Sequence, residues 1–245
     1  ARELAELGAV YDSGALSNRN LIINGAMQVS QRGTSEASVT SSQYADAPDR
    51  FKFEISSAGT WTLSQSTDVP SGSGFSNSYK VDCTTADASL GSTDYVQLSH
   101  YMEGQDLQRF KKGTSSAESM TVSFWVKSAK TGTYILEFYD GDNSRSNSQS
   151  YTIDADNTWE HKKITVPGDT SGAFDNDANL SLGLFFILGV GSTLSSGTLN
   201  TSWNSRVLAN VAVGQVNLAD STSNDWYLTG VQLEVGTEAT PFEHR

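Results

Sequence analysis

Asp225-Trp-Tyr-Leu-Thr-Gly-Val-Gln-Leu-Glu-Val-Gly236 is the stretch of sequence that decides the fold. Every second residue lies on one face of an extended chain, and one of these faces collects β-branched, aromatic and aliphatic side chains: Tyr227, Thr229, Val231, Leu233 and Val235. A period of two with such residues predicts a half-buried β-strand. Gly236 and Pro241 then end it. We therefore expect a sheet that is completed by this last strand.

Short segments of the same kind recur along the rest of the chain, separated by turns rich in Gly, Asn, Asp and Ser. The predicted strands cover residues 21–23 with 27–30, 50–55, 61–64, 79–83, 95–101, 120–127, 134–138, 151–153, 159–166, 180–190 and 211–216. The run at 180–190 is apolar at both its odd and its even positions, which indicates a central strand covered on both faces. Residues 105–110 read as one helical turn. The pattern predicts an all-β fold, an antiparallel β-sandwich over residues 21–245.

The first residues differ from this pattern. Leu4 and Leu7 share one face of a short predicted helix that Gly8 ends, and a polar linker follows from Tyr11. A helix of two turns is marginal alone and needs a partner surface. We therefore predict that residues 1–20 form a short N-terminal α-helical arm for attachment or oligomerisation, with Leu4, Leu7 and Tyr11 as its contact residues.

Composition excludes several classes of partner. The 245-residue chain has a formal net charge of -12, which argues against nucleic acid and against an anionic membrane surface. Its longest apolar run, at 180–190, is too short to span a bilayer. The single cysteine, Cys83, excludes a disulfide within the chain and a zinc site built on cysteines.

The sequence contains no constellation typical of catalysis or of a bound cofactor. His100, His161 and His244 lie far apart, and no serine occupies a nucleophile elbow. The acidic clusters at 140–144 and 175–177 could offer oxygen ligands to calcium, but hairpin turns demand the same residues and are the favoured interpretation. We therefore expect no enzyme activity, no metal and no cofactor.

Aromatic residues offer a different kind of site. The chain has five tryptophans and nine tyrosines, and planar rings stack on the apolar faces of sugars as readily as they fill cores and subunit interfaces. Tyr139 precedes a turn, and Trp159 begins a strand. Together with Asp140 and Asn143 they are our candidate glycan-facing residues. Trp125 alternates with Phe124 and Val126, so its ring is predicted to face away from their layer, toward a second sheet, a subunit contact or a ligand.

Three stretches carry a family resemblance: residues 18–33 (NRNLIINGAMQVSQRG), 120–127 (MTVSFWVK) and 226–245 (WYLTGVQLEVGTEATPFEHR). They resemble bacteriophage virion proteins of the tail-fibre and receptor-binding type, especially those of marine phages. The layout is also similar to carbohydrate-binding jelly rolls, whose structural calcium draws on carboxylates of the first and last strands. The matching positions here, 26–28 and 229–231, carry no carboxylate, which agrees with the expected absence of a metal.

The resemblance implies a non-enzymatic structural protein of the virion, such as a tail fibre, a tail-tip adhesin or a capsid or head fibre. It implies assembly in the host cytoplasm, contact with other virion proteins through the N-terminal arm, a homotrimer, and attachment to host cell-surface glycan. Two alternatives stay open. One is a carbohydrate-binding module that recognises host glycan without a structural role, and the other is a depolymerase that cuts capsule.

Overall fold

Two six-stranded antiparallel sheets pack face to face in the computed structural model, which describes residues 19–245. The first sheet has the order β1 (Ser35–Val39), β3 (Thr60–Ser66), β4 (Ser78–Thr85), β12 (Asp225–Val235), β6 (Met120–Ser128) and β9 (Glu160–Val166). The second has the order β11 (Asn204–Ser205), β8 (Arg145–Ile153), β7 (Gly132–Asp140), β10 (Leu180–Val190), β5 (Tyr95–Glu103) and β2 (Phe51–Ser56). The predicted antiparallel β-sandwich is confirmed.

Helical structure is confined to short turns between strands in the described part of the chain. These are α1 (Gly104–Leu107), α2 (Ser192–Ser195) and 3₁₀ turns at Gln108–Phe110, Leu208–Asn210 and Leu218–Asp220. Of these, α1 and the 3₁₀ turn at Gln108–Phe110 confirm the helical turn predicted at residues 105–110. Across residues 19–245 no helix has the length and apolarity needed to cross a membrane. The predicted N-terminal arm with Leu4, Leu7 and Tyr11 lies outside the described residues.

Aromatic side chains join the two sheets across the core. Phe124 of β6 meets Phe186 of β10 edge to face with ring centroids 5.2 Å apart, and Phe186 also contacts Trp226 of β12. Phe53 of β2 packs on Trp61 of β3 at 6.0 Å. All five rings are fully buried or nearly so, and such pairs stabilise a core beyond their buried area alone.

The predicted closing strand is present as β12, and it lies in the middle of the first sheet, between β4 and β6. Its faces differ from the prediction, however, because the register shifts between Thr229 and Gln232. Gly230 adopts a left-handed φ of +62° at this bulge. Leu228 and Val231 therefore both point into the core, while Thr229 and Gln232 lie on the outer side. A residue inserted at a bulge moves every later side chain of the strand to the opposite face of the sheet.

Two of the predicted strands are wrong. Residues 21–30 form turns and irregular backbone rather than a strand, with left-handed φ at Asn24 and Met27. Their hydrogen bonds run to the C-terminal stretch: the Leu21 amide donates to the Leu233 carbonyl, and the Asn20 side chain donates to Glu243. The two ends that carry the sequence resemblance are thus joined in space.

The second wrong strand is 211–216. This stretch forms turns that pack on the outside of the second sheet, where Val211 and Ala212 are buried against Ile135 and Ile187. That packing covers the outer face of β10, which explains why the run at 180–190 is apolar at both parities. The prediction of a central strand covered on both sides is confirmed.

Candidate functional site

The outer face of the second sheet carries an open groove. The segment 191–217 packs over the β7 side of this face and leaves the β5 and β2 side uncovered. The groove between them, called the main groove here, has a volume of about 350 Å³ and is lined by Glu54, Thr93, Tyr95, Gln97, Tyr101, Phe185, Thr193, Leu194, Arg206 and Leu208. Sites for small ligands are typically concave and mostly apolar, with a few well-placed polar groups, and this groove has that character.

One wall of the main groove is fixed by a buried ion pair. Arg206 donates to both carboxylate oxygens of Glu137, from Nε at 2.7 Å and from Nη2 at 2.9 Å. Glu137 is fully buried on β7, whereas the Arg206 side chain keeps 24% of its surface exposed. The Gln215 side chain adds a bond, accepting from the Ile135 amide at 2.7 Å. The wall is therefore tied to the sheet at two places.

Three aromatic rings form a row across neighbouring strands of this face. Phe185 of β10 meets Tyr101 of β5 edge to face at 5.8 Å and stacks on Tyr139 of β7 at 5.6 Å. The Phe185 ring lies over Gly183, where a Cβ atom would come within 2.5 Å of it. Phe185 is only 6% exposed, so it forms the floor, and the half-buried Tyr101 presents the accessible ring.

A carboxylate beside Tyr101 organises the polar part of the main groove. Glu54 accepts hydrogen bonds from Ser99 at 2.6 Å, Gln97 at 3.0 Å and the Tyr101 hydroxyl at 2.8 Å, and pairs with Lys52 at 3.0 Å. Burial alone would raise the pKa of Glu54, but these bonds outweigh it and hold the pKa below its usual value. Glu54 is therefore ionised at neutral pH and fixes the orientation of the tyrosine ring.

A second groove continues beyond Tyr101 toward the edge of the sheet. It has a volume of about 600 Å³ and is lined by Gln31, Arg32, Tyr44, Asp49, Arg50, Tyr101, Met102, Glu103, Ala178 and Leu180. Tyr101 is shared by both grooves. The outer face of the second sheet thus offers a continuous path rather than one closed pocket.

The four predicted glycan-facing residues do not form one site. Tyr139 lies at the end of the aromatic row, beneath the guanidinium of Arg206 at 5.0 Å. Trp159 lies on the first sheet, where its Nε1 donates to Asp68 at 2.9 Å and its ring meets Tyr227. The whole sandwich therefore separates Tyr139 from Trp159.

Asp140 is a correction to the prediction. It is fully buried and pairs with Lys112, because it follows Tyr139 in the strand and so points to the opposite side of the sheet. Asn143 is exposed, but its side-chain amide is used to hold the turn, donating to Asp140 at 3.1 Å and to the Ala173 carbonyl at 2.8 Å. Neither residue reaches the main groove.

The residues that do line the main groove were missed in the sequence. A signal was present in β5, where Tyr95, Gln97, Ser99 and Tyr101 alternate with Val96 and Leu98. This alternation marks an outer face that carries aromatic and polar side chains together. Arg206 gave no such signal, because its role depends on a segment that folds back across the sheet.

The usual catalytic and metal-binding groups are placed unfavourably in the described chain. Within residues 19–245 no group of three or more His, Cys, Asp or Glu side chains is arranged to hold a metal ion. Cys83 is buried, and burial raises the pKa of its thiol to about 11. Little of it is thiolate at neutral pH, which is the reactive form.

Comparison with known proteins gives weak matches. No family profile and no curated protein matches the sequence. Similar solved structures include the enzymatically active domain of tailspike protein 4 of bacteriophage CBA120, at 12% identity and a TM-score of 0.43, covering 88% of this chain and 21% of that one. A putative sugar binding protein from Bacteroides thetaiotaomicron aligns at 12% identity and a TM-score of 0.46, covering 89% of this chain and 100% of that one.

A cyclase from Fischerella sp. TAU also aligns, at 9% identity and a TM-score of 0.48 over 91% of this chain and 98% of that one. This chain spans about a fifth of the length of the solved tailspike chain. Similarity at this level accompanies unrelated activities among these three proteins, so their ligands and reactions are not transferred to this chain.

Proposed function

We propose that this chain is a non-enzymatic bacteriophage virion protein whose β-sandwich binds host-surface glycan in the main groove. The observation that carries the binding proposal is the Tyr101 ring, held on Phe185 and Glu54 at the mouth of both grooves. An aromatic face beside fixed hydrogen-bonding groups matches the chemistry of a sugar, which has an apolar face and a rim of hydroxyls.

The shape of the site favours an oligosaccharide over a single sugar. Tyr95 and Tyr101 both lie on the outer face of β5, six residues apart. At about 3.4 Å per residue they are separated by about 20 Å. A chain of several sugar units spans this distance, and the second groove extends the path further.

The carboxylates near the main groove support binding without cleavage. Glycoside hydrolases use two carboxyl groups roughly 5–9.5 Å apart on either side of the bond they cut, whereas Glu54 is the one carboxylate among the residues that line the main groove. Glu137 lies beneath the wall and is fully buried. Glu137 is also engaged by Arg206. A depolymerase is therefore the less favoured alternative.

The test of glycan binding compares two tyrosines of the main groove with a matched aromatic residue on the opposite sheet. Tyr101→Ala and Tyr95→Ala should each weaken binding to host polysaccharide about tenfold, which corresponds to about 1.4 kcal/mol. Trp159→Ala should leave binding unchanged. If Trp159→Ala abolishes binding and the two groove variants do not, the site lies on the first sheet. New reducing ends after incubation with the polysaccharide would support the depolymerase instead.

The virion role is supported by the sequence resemblance at residues 18–33 and 226–245. The attachment arm, the homotrimer and the position in the particle are proposals that this role entails. Deleting residues 1–17 should abolish incorporation into particles and leave a folded domain. An electron-microscopy map of the particle that shows three copies of this density at a tail or capsid fibre would support the trimer. A domain that binds glycan but is absent from particles would favour a free carbohydrate-binding module.

A further inference from the structure

One arginine beside the grooves has no partner for its charge. Arg50 lines the second groove together with Tyr101, and its guanidinium forms neither an ion pair nor a hydrogen bond within residues 19–245. Arg206 and Arg245, by contrast, are each held by a carboxylate at 2.7 Å. Acidic side chains outnumber basic ones in this chain, whose formal net charge is -12, yet none of them engages Arg50.

The backbone at Arg50 has a conformation that arginine does not favour. Its φ is +75°, in the left-handed region that glycine and asparagine adopt most readily. Residues held in such conformations cluster at binding and catalytic sites. The preceding residue, Asp49, is fixed by two bonds: its amide donates to the Val29 carbonyl at 2.9 Å, and its carbonyl accepts from the Asn24 side chain at 3.0 Å. These bonds place the Arg50 backbone and leave its side chain unengaged.

A smaller pocket, called the side pocket here, adjoins the second groove. It has a volume of about 170 Å³, and Arg50 and Tyr101 line both. His100 also lines the side pocket; its side chain is fully buried, and neither ring nitrogen makes a hydrogen bond of ordinary geometry with a described residue. A buried polar group of this kind normally has a partner. The side pocket therefore offers space and an unused polar group beside an unpaired guanidinium.

The charges around the side pocket favour an anion. Burial lowers the pKa of His100 to about 3, and the positive charges of Arg50 and Arg245 lower this pKa as well, so the electrostatic potential at the ring is positive. Two carboxylates, those of Glu103 and Asp106, also line the side pocket. Asp106 pairs with Arg245 at 2.7 Å, and Glu103 accepts a hydrogen bond from a neighbouring glutamine side chain at 2.7 Å. Arg50 is left as the charge that a ligand can match.

We propose that the second groove and the side pocket select an acidic sugar unit, whose carboxylate or sulfate group binds Arg50 while an adjoining sugar ring packs on Tyr101. This inference rests on the proposed glycan binding. A guanidinium binds such anions through parallel N–H donors. Arg32 lines the same groove beside the Tyr44 ring, at 5.6 Å, and is placed to contact a further acidic unit. The net negative charge of the protein disfavours an acidic chain elsewhere on its surface.

The test compares three forms of the host-surface polysaccharide: native, carboxyl-reduced and desulfated. Carboxyl reduction converts uronates to neutral sugars and desulfation removes sulfate, so the two treatments distinguish the two sources of charge. In calorimetric titrations the wild-type protein should bind the native form about tenfold more tightly than at least one neutralised form. Arg50→Asn should bind the native and neutralised forms equally. Because asparagine tolerates the left-handed backbone, this variant should keep the Tm of the wild type.

A matched control separates a local effect from one of overall charge. Lys163→Ala also removes one positive charge, but Lys163 lies on β9 of the first sheet, where it pairs with Glu238, and the variant should keep the tenfold preference. Arg50→Gly, which suits the same backbone, is a second variant in case Arg50→Asn does not fold.

The outcomes distinguish this inference from the proposed function. If the wild-type protein binds all three forms equally, the inference is overturned and glycan binding stands. The inference is also overturned if the Arg50 variants keep the preference for the native form, or if Lys163→Ala loses it. If the wild-type protein binds none of the three forms, the proposed glycan binding fails and the inference fails with it.

Discussion

Replacing Arg206 by alanine tests the wall of the main groove. Arg206 is the bidentate partner of Glu137, which has no exposed surface. Removing one member of a buried ion pair costs about 3–5 kcal/mol, because the other charge is left without compensation. Since the Arg206 side chain is 24% exposed, we expect the lower end, about 3 kcal/mol. For a domain of this size that is a fall in Tm of roughly 6–12 °C.

Replacing the other member of the pair should lower the free energy of unfolding by less. Glu137→Gln leaves Arg206 with one acceptor and a path to water, so we expect a loss of about 1 kcal/mol. Arg32→Ala is the matched control, because the Arg32 side chain is 47% exposed and its ion pair with Asp49 is long, at 3.7 Å. Exposed pairs of this kind contribute about 0–1 kcal/mol.

Urea unfolding of the three variants measures these differences directly, provided that the slope of each transition is unchanged. Arg206→Ala should also weaken glycan binding, since the wall loses its tie to β7. The reasoning would be refuted if Arg206→Ala cost no more than Glu137→Gln, or no more than Arg32→Ala.

Three further predictions concern single buried residues. Burial lowers the pKa of His100 to about 3 from 6.5. The neutral form of His100 therefore contributes fully to stability above pH 6.5, and this contribution is lost as the pH falls toward 3. In urea titrations, the free energy of unfolding of His100→Phe should therefore fall less than that of the wild type between about pH 7.5 and 4.5. Gly183→Ala should displace the Phe185 ring and weaken glycan binding about tenfold, while the far-ultraviolet circular dichroism stays unchanged. An unaltered affinity would contradict the role of the aromatic row in binding. Cys83, whose thiol pKa is raised to about 11 by burial, should react with iodoacetamide only after unfolding, and rapid labelling of the native protein would contradict its placement.

Local periodicity was enough to locate most strands. Phe51 and Phe53, Met120 to Val126, and the apolar run at 180–190 all lie in strands as their spacing predicts. The bulge at Gly230 could not be predicted, because Thr229 and Val231 continue the alternation while the backbone shifts its register between them. A glycine within a strand is a signal for a bulge, but it does not say which way the parity changes.

The errors at 21–30 and 211–216 have a different cause. Both segments are apolar enough for a strand, yet each packs against a distant part of the chain and does not pair with a neighbouring β-strand. Leu21 bonds to Leu233, and Val211 is buried on the outer face of the second sheet. Tertiary packing of this kind overrides local preference.

The candidate site was the least predictable part. Tyr139 lies in the aromatic row, but Tyr101, Glu54 and Arg206 join the same face only through pairings of strands and loops distant in sequence. The turn after Tyr139 suggested an exposed Asp140, whereas that carboxylate is buried in an ion pair with Lys112. A charge in a turn sequence does not reveal a partner 28 residues away.

The most direct test of the glycan-binding proposal is a crystal structure of the protein with an oligosaccharide prepared from host-surface polysaccharide. The account predicts a sugar ring against Tyr101, with neighbouring units running along β5 toward Tyr95 or into the second groove. Sugar bound on the first sheet beside Trp159, or an unoccupied main groove in crystals saturated with an oligosaccharide that binds in solution, would contradict it.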